Sequence, residues 1–325
     1  MMLAQGLHRS GCNTMVVAKE GSELMKRASG SGVACHALPL RFEADIASAR
    51  MLSRIANAES NTLIHAHTPH ALGLSLLARG FSAKPPIVFT RRVVFPVKKR
   101  AANRWKLNQA DFVVAVSKAV AVELQKAGLS AEKIRIIHSG ADMQRLVYHG
   151  PSLDQPFHVV IAGAVEKEKG LEDAMKFIES EDSSVTYHFL GSGSDMEKLR
   201  QFANSRKNVV VHGFVEDVIS EFRNAFSLLS FSPSEGFPNV VLQAMAIGLP
   251  VLVRENGGSS DMIPDNRFGK VFRDLPEALS LFQGLVKDPE GAILMGKQGS
   301  EWVRSNFSAE EMVRKNYDLY KEILS

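Results

Sequence analysis

Short apolar runs that do not alternate with polar residues recur along this chain, and Phe112-Val113-Val114-Ala115-Val116 is the clearest of them. A strand apolar on both faces is buried on both, and such strands belong to parallel sheets covered by helices on each side. In the first half the runs Thr14–Lys19, Val33–Leu40, Thr62–His67, Pro86–Thr90, Phe112–Ser117 and Ile134–His138 read as strands. In the second half Phe157–Ala162, Val185–Leu190, Val209–Gly213, Ser227–Phe231 and Pro250–Val253 do. Amphipathic stretches such as 44–59, 69–79 and 118–127 lie between them and read as helices. Repeated strand–helix units build doubly wound α/β sheets with right-handed crossovers. Ligands of such sheets bind beyond the carboxyl ends of the strands, so the loops just after strands hold the candidate residues.

A length of 325 residues suggests two domains. The turn formers Gly150-Pro151-Ser152-Leu153-Asp154-Gln155-Pro156 interrupt the pattern and place the expected boundary between 1–150 and 151 onward. The charge changes sign there. Residues 1–150 carry 21 Lys and Arg against 9 Asp and Glu, and residues 151–325 carry 18 against 26. The basic half is expected to attract an anion, such as a phosphate or an anionic lipid surface. Its densest stretch, Arg91, Arg92, Lys98, Lys99, Arg100, Arg104 and Lys106, also reads as a solvated helix face. No nucleic-acid-binding motif accompanies it, and nucleic acid is not an expected partner.

Two cysteines, Cys12 and Cys35, supply neither a disulfide framework nor a four-ligand zinc site. No apolar run reaches the ~20 residues of a membrane span. The opening MMLAQGLHRSG lacks a signal-peptide pattern. The expected location is cytoplasmic, with peripheral contact at the inner face of the plasma membrane through residues 91–106.

The most informative run extends from Phe231 to Val251. A buried strand ends at Phe231, and the loop Ser232-Pro233-Ser234-Glu235-Gly236-Phe237-Pro238 follows. A helix is expected from about Asn239 to Ile247, with Gly248 at its C-cap and a new strand from Pro250. A helix opening at a strand's carboxyl end offers free N–H groups and a positive dipole end to a phosphate or polyhydroxyl ligand. Glu235 and Gln243 can accept hydrogen bonds from hydroxyls.

This run resembles the signature of glycosyltransferase family 4, whose pattern is Ser-x-x-Glu-Gly, six residues, then Glu-Ala-Met-Ala-x-Gly-x-Pro-Val. Ser232, Glu235, Gly236, Ala244, Met245, Ala246, Gly248, Pro250 and Val251 match in register, and the second Glu falls on Gln243. Val160 to Gly170 resembles the family's first donor-domain strand and loop, with Lys169 at the position that neutralises the leaving diphosphate and Ala164 where an Arg is usual. Phe189–Ser194, Val211–Val215 and Glu255–Ser259 resemble later donor loops. In the first half Leu63–His70, Phe89–Val93, Ala115–Val120 and Ile137–Asp142 resemble family loops.

The resemblance implies a GT-B architecture, two doubly wound Rossmann-like domains facing across a cleft. Residues 1–150 would be the acceptor-side domain, 151–309 the nucleotide-sugar-binding domain, and 310–325 a helix packing back on the first. The implied activity is metal-independent transfer of a sugar, with retention, from a nucleotide-diphosphate sugar to a glycan or lipid-linked acceptor. No further cofactor and no metal are implied. The implied catalytic residues are His67, Lys169 and Glu235. The implied donor-binding residues are Gly163, Lys169, Gly191, Gly193, Gly213, Phe214, Glu235, Gly236, Phe237, Pro238, Asn239 and Gln243. Arg91 and Arg92 would meet an anionic acceptor, and His65 reads as a satisfied core histidine.

The chain opens inside what resembles the family's first helix, without the strand and Gly-rich loop that precede it. Losing that strand would leave a sheet edge unpaired. With Ala164 and Gln243, this keeps a second reading open, a relative that binds a nucleotide or a partner without turnover.

Overall fold

The computed structural model describes residues 1–42, 44–81, 84–97, 101–181 and 184–325. Lys98, Lys99 and Arg100 of the basic stretch lie outside the described residues. The chain divides into two compact units, one of residues 1–140 with 309–325 and one of residues 141–308.

Unit 1 opens with α1 (Met2–Arg9), β1 (Met15–Lys19), α2 (Glu23–Ser29), β2 (Ala34–Leu38) and α3 (Ile46–Asn57). It continues through β3 (Ile64–Ala66), α4 (Pro69–Arg79), β4 (Ile87–Arg91), α5 (Ala101–Asn108), β5 (Phe112–Ala115), α6 (Lys118–Lys126) and β6 (Ile134–Ile136). Polar residues start its helices where the pattern turns. Ser22, Asp45, Thr68 and Ser117 each accept a hydrogen bond from a backbone N–H three residues on. Its strands form a four-stranded parallel sheet, β3-β4-β5-β6, and a separate parallel pair, β1-β2. Val17, Leu38 and Ile64 of β1, β2 and β3 nevertheless meet one cluster with Ala49 and Leu52 of α3 and Leu74 and Ala78 of α4.

Unit 2 contains β7 (Phe157–Ala162), α7 (Leu171–Ser180), β8 (Val185–Leu190), α8 (Met196–Asn204), β9 (Val209–Gly213), α9 (Val218–Phe222) and β10 (Ser227–Ser230). Then come α10 (Asn239–Ala246), β11 (Val251–Arg254), α11 (Ser259–Met262), β12 (Lys270–Phe272), α12 (Leu275–Lys287) and α13 (Pro289–Asn306). Its single parallel sheet runs β12-β11-β10-β7-β8-β9. From β7 the chain builds outward through β8 and β9, then returns to build β10, β11 and β12 on the other side. The order therefore reverses between β7 and β10, which is where a doubly wound sheet opens a crevice for a ligand. Phe177, Tyr187, Phe231, Phe272 and Phe282 fill the core on one face.

All eleven predicted strands are present, most with shorter ends, and β12 is an addition. The helix expected at 239–247 is α10, and Gly248 after it takes a left-handed φ of +94°. Residues 141–156 belong with unit 2. The amides of His149 and Gly150 donate to the Ile247 carbonyl at 2.8 and 2.9 Å, and Arg304 binds the carbonyls of Met143, Leu146 and Ala246. The last helix, α14 (Ala309–Leu324), belongs to unit 1. Its Val313 lies against Gly6 of α1, and its Glu322 pairs with Arg135 at 2.5 Å.

Candidate active site

The switch point of unit 2 opens into a cavity of about 170 Å³. The ends of β7 and β10 form its floor, and the turn after β7 and the first residues of α10 form its rim. The α10 N-terminus has no side-chain cap, because Pro238 holds the N-cap position. Its first N–H groups and the positive end of its dipole therefore face the cavity rim.

Lys169 and Glu235 meet at this rim, although 66 residues separate them, with Nζ and Oε1 2.7 Å apart. Ser232 Oγ donates to the same Oε1 at 3.0 Å. One carboxylate oxygen is thus held from two sides, and the half-buried ammonium has a fixed position. Lys169 closes a 3-10 turn that ends at Gly170, with φ +82°. A Cβ at Gly170 would overlap the Phe231 carbonyl, so the turn lies directly on the end of β10.

The neighbouring loops interlock through their backbones. Gly163 N donates to the Leu190 carbonyl at 2.9 Å, and Gly191 N donates to the Gly213 carbonyl at 2.7 Å. A side chain at Gly191 would overlap the Gly163 carbonyl oxygen, and one at Gly193 the Val165 carbonyl. These glycines serve close approach between loops. Gly163, Lys169, Glu235, Pro238 and Asn239 line the cavity. Gly236 and Phe237 are buried in the loop above β10, with the Phe237 ring 5.2 Å from that of Phe307. Gln243 is half-buried one helical turn beyond Asn239 and does not line the cavity. Phe214 follows β9 with 77% of its surface exposed. Ala164 lines the cavity without charge, and Arg254, the last residue of β11, is engaged by Asp173.

Asn256 is a residue that sequence reasoning passed over. It is buried, its Nδ2 donates to the Ser232 carbonyl at 3.0 Å, and its Oδ1 accepts from the amides of Gly258 and Ser259 at 3.1 and 3.0 Å. It ties the loop after β11 to the loop that carries Glu235. Another unforeseen feature is a row of histidines across adjacent strands. His158 Nδ1 lies 2.7 Å from His188 Nε2, and His188 Nδ1 lies 2.9 Å from His212 Nε2. Burial, then the neighbouring His158 and His212, lowers His188 to about 4.

In unit 1 the predicted residues gather at the carboxyl edge of the four-stranded sheet. The pairing of Ala66 with Phe89 sets the His67 end of β3 beside the Arg91 end of β4. His65 and His67 point to one face, with their rings stacked 4.2 Å apart. His65 is satisfied by Thr90 Oγ1 at 2.6 Å and by the Tyr320 hydroxyl. Loss of surrounding water, then the charges of Arg92 and the N-terminal ammonium, lowers His67 to about 4, so it is neutral at pH 7. Arg91 donates from Nη2 to the Phe95 carbonyl, and its buried Nε has no partner among the described residues. Burial pushes the Arg92 guanidinium down. Among the described residues no group of three or more His, Cys, Asp or Glu is placed to hold a metal ion. No described helix is long and apolar enough to cross a membrane.

Residues 1–145 match the family model Glycosyltransferase Family 4, and residues 156–281 match Glycosyl transferases group 1. The lipopolysaccharide 1,6-galactosyltransferase of Salmonella typhimurium is 25% identical over 188 residues, 55% of this chain and 52% of that protein. The capsular polysaccharide biosynthesis glycosyltransferase CapM of Staphylococcus aureus is 20% identical, over 98% of this chain and 92% of that one. The chain thus spans about half the length of the first relative and nearly all of the second. Anabaena Alr3699/HepE, crystallised with UDP, superposes with a TM-score of 0.86 at 15% identity, over 99% of this chain and 94% of that one. That likeness is one of fold, the GT-B fold of two Rossmann-like domains.

Proposed function

Because the chain belongs to glycosyltransferase family 4, we propose that it moves a sugar from a nucleotide-diphosphate sugar to a glycan or lipid-linked acceptor, with retention of configuration. The observation that carries this reading is the Lys169–Glu235 pair, fixed by Ser232 at the mouth of the switch-point cavity and beside the open N-terminus of α10. In this reading the donor diphosphate meets Lys169 and the first N–H groups of α10. Both oppose the negative charge that grows on the leaving group, and such preorganised donors are worth more in the transition state than in the ground state. Glu235 faces the sugar, and Gln243 offers an uncharged amide to a ribose hydroxyl. The acceptor hydroxyl attacks on the face from which the diphosphate departs, so no enzyme nucleophile is nominated. Neutral His67 accompanies the acceptor in unit 1, and Arg91 and Arg92 favour an acceptor that carries an anionic group.

Two solved neighbours are complexes with UDP and with UDP-glucose, which makes uridine nucleotides the first donors to test. Calorimetric titration of the chain and of Lys169→Ala with UDP, GDP and ADP tests the site. Binding of one nucleotide, weakened in the variant, supports the reading. No binding to any of the three in the folded chain overturns it. Binding without sugar transfer to any glycan or lipid acceptor would favour the non-catalytic relative that Ala164 and Gln243 raise.

A further inference from the structure

The aromatic core of unit 2 takes alternate residues of β7, β8 and β9, namely Phe157 and Val159, Tyr187 and Phe189, Val209 and Val211. Alternation turns His158, His188 and His212 to the opposite face of the sheet, where they touch in a diagonal row. Val160, Thr186 and Val210, their neighbours on that face, carry no charge. The charges that act on His188 are those of His158 and His212. His212 is also the extra residue of a bulge, since Phe189 pairs with Val211 and Leu190 with Gly213. A bulge interrupts the backbone ladder, so side-chain contacts carry more of the β8–β9 pairing there.

A neutral imidazole has one N–H and one bare nitrogen, and a contact between two rings needs one of each. The intact row therefore holds one hydrogen in the His158 Nδ1–His188 Nε2 contact and one in the His188 Nδ1–His212 Nε2 contact. The outer nitrogens, His158 Nε2 and His212 Nδ1, can each hold another. Three neutral rings fill all but one of these places, so the row takes up a first proton and stays joined. A second proton sets two N–H groups face to face across a contact of 2.7 or 2.9 Å, and it brings a second positive charge beside the first. Separated imidazoles in water all accept protons below about pH 6.5. Acid therefore favours parted rings over joined ones. The lowering of His188, by burial and then by its two neighbours, has the same direction.

The strands that the row joins end in the interlocked loops. Gly191 follows His188 by one short step of chain, Gly213 directly follows His212, and Gly191 N donates to the Gly213 carbonyl at 2.7 Å. Gly163, on whose carbonyl Gly191 packs, lines the switch-point cavity. We propose that the histidine row is an acid-sensitive latch, which holds the loops after β8 and β9 together behind the cavity and lets them part when it takes a second proton. The latch lies within unit 2 and works without a bound nucleotide. For each proton that opening takes up, the open fraction rises about tenfold per pH unit.

Hydrogen exchange of the full chain, followed by peptide mass spectrometry at about pH 7, 6 and 5 and corrected for the intrinsic pH dependence of exchange, tests the latch. The segments 188–193 and 209–215 should lose about tenfold or more of their protection between pH 7 and pH 5, while β10 at 227–230 keeps its own. His188→Gln and His212→Gln replace a ring with an amide that donates and accepts without titrating. Each should cut that loss to about threefold or less. His212 is exposed, so its variant is the one least able to disturb folding, and circular dichroism at pH 7 checks both. Protection of the two segments that stays constant down to pH 5 overturns the proposal. So does an equal loss in folded variants, and so does a matching loss at 227–230, which would make the acid response a general unfolding. No nucleotide enters the measurement, so a failure of the donor site and a failure of the latch are read separately.

Discussion

The two units obey one folding rule and finish their surfaces differently. Unit 2 has a single six-stranded sheet, an aromatic core, and loops locked to each other by glycine contacts and Asn256. Its candidate site is held by groups that the unit itself supplies. The sheet of unit 1 lies in two pieces, its core clusters are smaller, and more of its large apolar side chains meet solvent. At its carboxyl edge Arg91 is half-buried, and its Nε has no partner among the described residues. A desolvated cation is costly until an anion approaches it. Under the proposed function the contrast is a division of labour, in which the preorganised unit 2 would hold the donor and unit 1 would be completed by the acceptor.

The largest effect is expected at Lys169. Lys169→Ala should lower transfer about 10²- to 10³-fold. Its half-exposed pair with Glu235 contributes only about 0–1 kcal/mol to stability, so the urea midpoint should hardly move. Arg92→Ala should leave UDP affinity unchanged, and a loss of UDP binding in that variant would break the assignment of the two ligands to separate units.

Next comes the interlock. At Gly191, φ is +147° and a methyl group would overlap the Gly163 carbonyl. Gly191→Ala should therefore cost about 3 kcal/mol of stability and abolish UDP binding. In unit 1, Gly30 has φ −92° and open space where a Cβ would stand. Gly30→Ala should shift stability by about 0.5 kcal/mol or less. Equal effects at the two glycines, measured by urea unfolding, would show that unit 2 is no more rigidly built than unit 1.

Asn256→Ala should cost about 1–3 kcal/mol, because it leaves the buried amides of Gly258 and Ser259 without their acceptor. It should also weaken nucleotide binding by releasing the loop that carries Glu235.

The last effect, absent at pH 7, is one of acid pH. His67 in unit 1 and His188 in unit 2 are both lowered to about 4 from an ordinary 6.5. Between those values the unfolded chain binds protons that the folded chain does not. The contribution of these two residues to stability is therefore level above about pH 6.5 and falls as the pH drops towards 4. His188→Gln should flatten that slope without affecting activity at pH 7. An unchanged slope in a folded His188→Gln chain would remove unit 2 from the acid response.

Most of the fold was legible because its signals are local. Apolar runs marked eleven strands, and amphipathic stretches such as 69–79 and 118–127 marked helices between them. β12 escaped because it has three residues, begins at Lys270 and has no apolar run of its own. Lys169 and Glu235 stood out through the motifs around them, but nothing in either motif says that the two side chains touch. Asn256 looked like part of a Gly-Gly turn, since its partner Ser232 lies 24 residues away. The histidine row was invisible for the same reason, with its members spread over positions 158, 188 and 212.

By itself, then, the sequence determined the parallel α/β class, the change of charge near the middle, and the loop–helix run from Phe231 to Val251. Periodicity, composition and capping act over a few residues and survive without any knowledge of distant partners. Tertiary structure alone decided that residues 141–150 join unit 2. It also decided that Lys169 faces Glu235, and that His158, His188 and His212 come to form one row. Those outcomes depend on which surfaces meet when separate strand–helix units stack, and stacking is set by the packing of the whole sheet.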